Sequence, residues 1–291
     1  MNQINSPLRQ AVTDFHSYIE SLGRASATIL AYTKDVEQLV QFVEDQGKTT
    51  PQTVTEEDID AFKNDLNKKA FTAKSISRKI NSIKAFFRFL KNQGVITTNP
   101  AAQITHPQYD IKPPRILSKL EYRALRDTCK GDPRIAAIVE LLLQTGMRIS
   151  EVANLELSDI DLENNKIKIN AYESHEARIV PINEAVNATL KHYLIERPKG
   201  GAKKLFITKT GNPFLVRNIR SGIDRYFRLA GIKNARVNDL RHTFIAHQLM
   251  AGAPLVYISK LAGHKRLSTT EKYLEFINGK AGQDKPKLEE L

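Results

Sequence analysis

Apolar residues recur every three or four positions through the first third of the chain, a spacing typical of packed helices. Five apolar side chains between residues 73 and 92 share one helical face: Ile76, Ile80, Ile83, Phe87 and Leu90. Further helices are predicted from Ser6-Pro7 to Gly23, from Ser26 to about Gln46, and from Thr55 onward. Residues 1–95 are therefore expected to form a helical domain.

The periodicity then stops. Residues 96–117 contain four prolines and little apolar repetition, which predicts a linker between domains. Ser118 and Glu121 have the spacing of a capping box, so a second domain is expected over 118–278. The polar residues 279–291 are expected to form a C-terminal tail that is mobile or docks on a neighbouring protomer.

The second domain adds a β-hairpin to more helices. Lys166–Asn170 and Arg178–Ile182 are short β-branched runs that predict two antiparallel strands, and Leu205–Thr208 is a candidate third strand. Helices are predicted from Asp132 to Gly146 and at about 214–230, 238–250 and 255–261. The expected fold class is mainly α with a small β-sheet.

Charge narrows the choice of partner. The net charge is +12, and no acidic residue occurs between Asp65 and Asp110. Between Glu196 and Glu271 there are 15 lysines and arginines against two acids. Two separate basic blocks are typical of a protein that holds a polyanion from two sides, with nucleic acid favoured over an anionic membrane surface.

Other features exclude several classes. The single cysteine, Cys129, rules out an internal disulfide framework and a cysteine-rich zinc site. No apolar run reaches the roughly 18 residues that a membrane span requires. The N-terminus lacks the pattern of a signal peptide. A soluble cytoplasmic protein is expected.

The sequence also lacks the usual phosphate-handling motifs, a GxxxxGK[ST] loop and a cluster of acids for two metals. Arginine can neutralise phosphate charge instead, because its planar fork binds two oxygens at once. The segments TGMRISEV, NDLRHTF and AGHKRLSTTEKY supply Arg148, Arg241, His264 and Tyr273. Together these side chains predict a metal-free phosphoryl-transfer site with Tyr273 as the nucleophile.

These three ordered segments resemble the two arginine boxes and the Leu-Gly-His box with nucleophilic tyrosine of the tyrosine recombinases, or phage integrase family, especially its Xer-like members. The resemblance covers nearly the whole chain. It implies a helical SAM-like core-binding domain and a mixed α/β catalytic domain that clamp the DNA. It also assigns phosphate binding to Arg148, Arg241 and His264, attack to Tyr273, and support of the first arginine to Glu151.

The resemblance further implies how such an enzyme works. It cuts and rejoins double-stranded DNA at inverted half-sites through a 3′-phosphotyrosine intermediate and a Holliday junction. The synaptic complex is a homotetramer, and neither metal, ATP nor another cofactor takes part. Integration or excision of a mobile element, resolution of cointegrates and resolution of dimers all use this architecture; the departures described next favour a mobile-element enzyme.

Two positions depart from the family pattern. The second arginine box usually begins with histidine, but here it begins with Asn238, a predicted catalytic residue whose amide can donate a hydrogen bond to a phosphate oxygen but cannot shuttle a proton. The hairpin lysine that protonates the leaving 5′ oxygen is missing, because its place falls near Glu173. Lys168, slightly favoured, and His175 are the two candidates to replace it.

The remaining predictions concern support and DNA contact. His242 and His247 are expected to be packing residues. Six cations on two helices are predicted to contact DNA: Lys74, Arg78, Lys84, Arg88, Arg217 and Arg220. The alternatives are a DNA-binding protein of the same fold with impaired catalysis and a DNA-relaxing enzyme related to type IB topoisomerases.

Overall fold

A computed structural model describes residues 6–110, 113–172 and 175–278. The chain divides at residues 111 and 112 into two compact units. The predicted tail, 279–291, and the hairpin position Glu173 lie outside the described residues. Within the described ranges no helix is long and apolar enough to cross a membrane.

The first unit is a helical bundle. Its helices are α1 (Pro7–Ser21), α2 (Ser26–Glu44), α3 (Glu56–Lys68) and α4 (Ala73–Asn92). Local chemistry sets where they begin: the Ser6 hydroxyl accepts a hydrogen bond from the Arg9 amide at 3.2 Å, and the Thr55 amide donates to the Asp58 carboxylate at 2.7 Å. These side chains satisfy amides that have no partner inside the helix.

The amphipathic stripe predicted for α4 is the centre of this bundle, and its five apolar residues are all buried. Phe86, adjacent to the stripe, is buried too and packs edge-on against Phe15 with ring centroids 5.4 Å apart. Ile96, Ala101 and Ile104 belong to the same core. The first part of the segment that the sequence assigns to the linker therefore packs onto the helical unit.

A buried charge cluster joins α2 to α4. The Asp35 carboxylate accepts hydrogen bonds from Lys79 Nζ at 2.9 Å, from Ser82 Oγ at 2.9 Å and from Arg78. Lys79 is itself buried and also donates to Gln38. Buried charges are stable only when paired in this way, so Asp35 fixes one end of Arg78, a predicted DNA contact.

The second unit surrounds the apolar helix α6. Its helices are α5 (Lys119–Cys129), α6 (Pro133–Thr145), α7 (Ile149–Asn154), α8 (Glu184–Glu196), α9 (Val216–Leu229), α10 (Val237–Met250), α11 (Leu255–Ala262) and α12 (Ser268–Asn278). The predicted capping box is present, since the Glu121 amide donates to Ser118 at 3.2 Å and the Ser118 amide donates to Glu121 at 2.8 Å. Helices α8 and α12 were not predicted.

The hairpin is confirmed. Strands β2 (Lys166–Ile169) and β3 (Arg178–Pro181) pair antiparallel, with Ile169 opposite Arg178 and Lys168 opposite Ile179. The third strand is β1 (Ile160–Asp161), which pairs with β2. The prediction of a strand at Leu205–Thr208 was wrong: Leu205 bonds to the carbonyl of Leu155, and the segment forms isolated bridges.

Candidate active site

The turn from α6 to α7 presents the first arginine. Gly146 ends α6 in the left-handed region, at φ 63°, and a side chain there would collide with the Phe244 ring. Arg148 then precedes α7, and its amide donates to Glu151 Oε2 at 2.8 Å. The fixed turn and this cap determine where the Arg148 guanidinium emerges.

Glu151 connects two guanidinium groups. It accepts from Arg178 through both oxygens, each at 2.8 Å, and from Arg148 Nη1 at 3.0 Å. Burial opposes ionisation of Glu151, but Arg178 and then Arg148 outweigh burial and lower its pKa to about 2. Glu151 thus remains a carboxylate at neutral pH and holds Arg148 through a hydrogen bond.

The C-terminal end of α11 holds the same arginines from another side. The Leu261 carbonyl accepts from Arg178 at 2.8 Å, the Ala262 carbonyl from Arg241 at 2.7 Å, and the Gly263 carbonyl from Arg148 at 2.6 Å. Carbonyls at a helix C-terminus lack partners within the helix and carry partial negative charge, which suits cations.

Gly263 makes this close approach possible. It has φ 65°, and a Cβ atom would lie 2.9 Å from the Arg178 guanidinium carbon and 3.1 Å from Arg148 Nη1. Any larger residue would displace both guanidinium groups.

Arg241 is the buried member of the set. It extends from α10, is 8% exposed, and also donates to the Gly146 carbonyl. Burial and the charge of Arg148 lower its pKa to about 10, so it is still a cation at neutral pH. Its two hydrogen-bond acceptors are neutral carbonyls, and no carboxylate among the described residues bonds to it, so its positive charge is suitable for an anionic ligand.

His264 and Tyr273 come from either side of the turn before α12. His264 Nδ1 lies 2.7 Å from the hydroxyl of Thr270, and its ring stacks on that of Tyr273 with centroids 6.4 Å apart. Burial, then Arg241 and Arg148, lower the His264 pKa to about 4, so the ring is neutral at pH 7. Tyr273 is 6% exposed, and burial raises its pKa.

His242 has a more specific position than a packing residue. Its Nδ1 lies 2.6 Å from the hydroxyl of Tyr273, within hydrogen-bond distance. Burial lowers its pKa. Its neighbour one turn along, His247, instead packs edge-on against Tyr122 at 5.9 Å and fits the packing role. The only sequence signal for His242 was its position beside Arg241. That position does not reveal its contact with Tyr273, 31 residues later.

Arg178 was also missed. It begins β3 opposite the buried Ile169, and residues paired across strands share one face of the sheet. A cation on the buried face of an amphipathic hairpin needs a buried partner. This requirement is the sequence signal that could have identified Arg178.

The two candidate leaving-group acids differ in position. Lys168 is exposed and pairs with Ile179, on the face of the sheet opposite to Arg178. His175 lines a cleft of about 590 Å³ together with Arg178, Gly263, His264 and Lys265. Its Nδ1 is buried and has no hydrogen-bond partner among the described residues. Burial and then Arg148 lower the His175 pKa.

The remaining predicted positions are accessible. Asn238 is exposed in the first turn of α10. The DNA-contact candidates Lys74, Arg78, Arg88, Arg217 and Arg220 are exposed, and Lys84 is half-buried. No group of three or more His, Cys, Asp or Glu residues with the geometry of a metal site occurs in the described ranges.

Comparison of the chain with known protein families agrees with this arrangement of side chains. The phage integrase family profile matches residues 115–277, and the profile of its N-terminal SAM-like domain matches residues 12–94. The chain belongs to the phage integrase family. It is therefore a site-specific recombinase of the tyrosine type, and the predicted fold class, a SAM-like helical domain with a mixed α/β catalytic domain, is confirmed.

Individual relatives support this assignment. Tyrosine recombinase XerC of Thermodesulfovibrio yellowstonii is 32% identical over 276 residues, 90% of each chain. XerC of Chlorobaculum tepidum is 31% identical over 298 residues, 89% of this chain and 88% of the relative. The Tn1549 transposon integrase bound to transposon right end DNA shares the fold, with a TM-score of 0.76, 21% identity, and coverage of 92% of this chain and 94% of that one.

Proposed function

We propose that this recombinase cleaves and rejoins DNA through a covalent 3′-phosphotyrosine intermediate and a Holliday junction. The observation that carries the proposal is the convergence of Arg148, Arg241, His264 and Tyr273 around the end of α11. Tyr273 Oη attacks the scissile phosphorus, the P–O5′ bond breaks, and the 5′ oxygen leaves with a proton. Because one phosphoester replaces another, the reverse attack by a 5′ hydroxyl rejoins the strand without ATP.

The surrounding groups suit the charge that develops. Arg148 and Arg241 stabilise the phosphoryl oxygens as their charge increases. If His264 is neutral and its Nδ1 accepts a hydrogen bond from the Thr270 hydroxyl, its proton is on Nε2. The Nε2–H group can then donate a hydrogen bond to a phosphate oxygen, in addition to those from the two arginines. Glu151 and Arg178 do not touch the reacting atoms in this scheme. They hold Arg148 in place.

His175 is the better candidate for the leaving-group acid. Lys168 points to the opposite face of the sheet from Arg178, whereas His175 lines the cleft with His264 and has a buried ring nitrogen that lacks a described partner. A bound phosphate would offset the field of Arg148 that lowers the His175 pKa, and so favour the protonated ring.

The wider assembly follows from the same chemistry. A net charge of +12 and exposed cations on α4 and α9 support binding of double-stranded DNA at inverted half-sites. Exchange between two duplexes at such sites requires four active sites, supplied by a homotetramer. Because the substrate is DNA, we expect the protein to act in the cytoplasm, on mobile elements, cointegrates or dimers.

The central test is to trap a covalent adduct on a nicked suicide substrate. The adduct should form with the wild type and with Tyr257→Phe, an exposed tyrosine on α11, and should be absent with Tyr273→Phe. Exchange between two labelled duplexes should accompany it. If the wild type binds its site but forms no adduct, the chain is a DNA-binding protein of impaired catalysis. Relaxation of supercoils without exchange would indicate a topoisomerase-like activity.

The acid is identified with a 5′-phosphorothiolate substrate, whose thiolate leaves without protonation. This substrate should restore cleavage to His175→Ala, while Lys168→Ala should cleave the ordinary substrate at the wild-type rate. Failure of the phosphorothiolate to rescue His175→Ala would exclude His175 as the acid.

A further inference from the structure

Family members usually begin the second arginine box with histidine, and this chain has Asn238 there. A carboxamide has no basic nitrogen, so Asn238 cannot take a proton from the nucleophile. Burial raises the pKa of Tyr273, which makes its neutral phenol a poor nucleophile without a base. Some other group must therefore receive the phenolic proton.

The described ionisable side chains around Tyr273 include Arg241, His242 and His264, and they differ in whether they can accept a proton. Arg241 and Arg148 are cations and accept no proton. His264 presents its Nδ1 to the Thr270 hydroxyl and lies against the Tyr273 ring by stacking. His242 is different, because its Nδ1 lies 2.6 Å from Tyr273 Oη itself, with the two ring centroids 5.8 Å apart.

We infer that His242 is the general base of this enzyme and takes the phenolic proton of Tyr273 on Nδ1 as Oη attacks the phosphorus. The inference rests on the proposed cleavage reaction. The Oη–H bond breaks, the Oη–P bond forms, and the new charge resides on an imidazolium. During rejoining the same imidazolium returns the proton to Tyr273, so His242 acts in both directions.

The electrostatic setting is consistent with that role. Burial, opposed by Asp239 and assisted by Arg241, lowers the His242 pKa, so the ring is neutral and able to accept a proton at pH 7. Within the described part of the chain, the ionisable groups that act on His242 or Tyr273 are Asp239 and Arg241 on α10 and His264 between α11 and α12.

The test uses His242→Asn, which retains an acceptor oxygen near the position of Nδ1 but cannot take a proton. His247→Asn is the matched control, since that histidine lies on the same helix and packs against Tyr122. Cleavage is measured in single turnovers on the 5′-phosphorothiolate substrate, so that leaving-group protonation does not affect the pH profile. Melting and binding to the intact site establish that both variants fold.

At pH 7 the His242→Asn rate should fall by roughly 10²- to 10⁴-fold, the usual contribution of a general base. Its rate should then rise about tenfold per pH unit, because hydroxide must remove the proton. Wild type and His247→Asn should instead be flat above neutral pH. Rejoining of a preformed adduct should slow in His242→Asn as well.

Two results would overturn the inference: a wild-type rate in His242→Asn, or a slowed rate that stays flat with pH, which would mark His242 as structural only. Both leave the proposed function intact, since they require adduct formation. That function fails separately if the wild type forms no adduct.

Discussion

Replacing Glu151 by glutamine should destabilise the second unit by about 3 kcal/mol. The carboxylate is 3% exposed and receives hydrogen bonds from two guanidinium groups. A pKa that falls from 4.5 to about 2 corresponds to about 3 to 3.5 kcal/mol, at roughly 1.4 kcal/mol per pH unit. That agrees with the roughly 3–5 kcal/mol lost when one partner of a buried pair is removed. Glutamine keeps one acceptor but turns an NH₂ group toward Arg178 or Arg148.

The single cysteine gives a specific assay. Cys129 is buried in the core of the second unit, and burial raises its pKa to about 12, so a thiol reagent reaches it only when that unit unfolds. Pulse labelling across a urea series then measures the stability of this unit within the full chain. With a slope of about 2 kcal/mol per molar urea, the midpoint of Glu151→Gln should fall by about 1.5 M.

The contribution of Glu151 to stability decreases as the pH falls. Because folding lowers the Glu151 pKa, its contribution is complete above about pH 4.5 and is lost as pH falls toward about 2. The difference in urea midpoint between the wild type and Glu151→Gln should be the same at pH 7 and pH 5 and smaller at pH 3.

Glu156→Gln is the matched control. Glu156 pairs with Lys204 at 3.2 Å, and both side chains are about a third exposed. Exposed pairs contribute about 0–1 kcal/mol. The reasoning is refuted if Glu151→Gln lowers the midpoint no more than Glu156→Gln does.

Three further outcomes are expected. Gly263→Ala should retain DNA binding but lose most covalent adduct, because its Cβ would push aside both guanidinium groups; normal adduct yield would contradict this. Lys79→Met should destabilise the first unit by roughly 3–5 kcal/mol by leaving Asp35 with fewer partners, measured by urea unfolding monitored by circular dichroism; a change below about 1 kcal/mol would show that Asp35 is satisfied without it. Asn238→His should leave the rate of suicide-substrate cleavage within about threefold of wild type, because His242 already takes the proton; a tenfold increase would show that the proton transfer is limited by Asn238.

Local signals predicted much of the fold. Helix α4 carries both a Thr72 cap and a long apolar stripe, and the structure reproduces its predicted range, 73–92. The hairpin was found because isoleucine alternates with lysine on the first strand and β-branched residues run together on the second. The segment Leu205–Thr208 was misassigned because a short apolar run indicates burial but not its partner: Phe206 is buried and accepts from the Phe214 amide outside any sheet.

The site was predictable only in part. Arg148, Arg241, His264 and Tyr273 stood out because their motifs are short and ordered, and the structure gathers them in one place. Their connections were not visible. Arg178 lies 27 residues from Glu151, and nothing local to either residue identifies the other. Such pairings depend on the packing of α11 against β3 and of α11 and α12 against α10, which a linear motif does not encode.

The end of α11 has a mechanical consequence. Carbonyl groups at its end accept hydrogen bonds from Arg148, Arg178 and Arg241, and the chain that follows carries Tyr273, the proposed nucleophile, on α12. Displacement of this short segment would break at least one hydrogen bond to each of the three guanidinium groups and move Tyr273 with it, while Arg148 and Arg178 would stay bonded to Glu151 and Arg241 to the Gly146 carbonyl. The position of α11 therefore sets the position of the arginine side chains and of Tyr273 together, so the two halves of the proposed site cannot move independently of this helix.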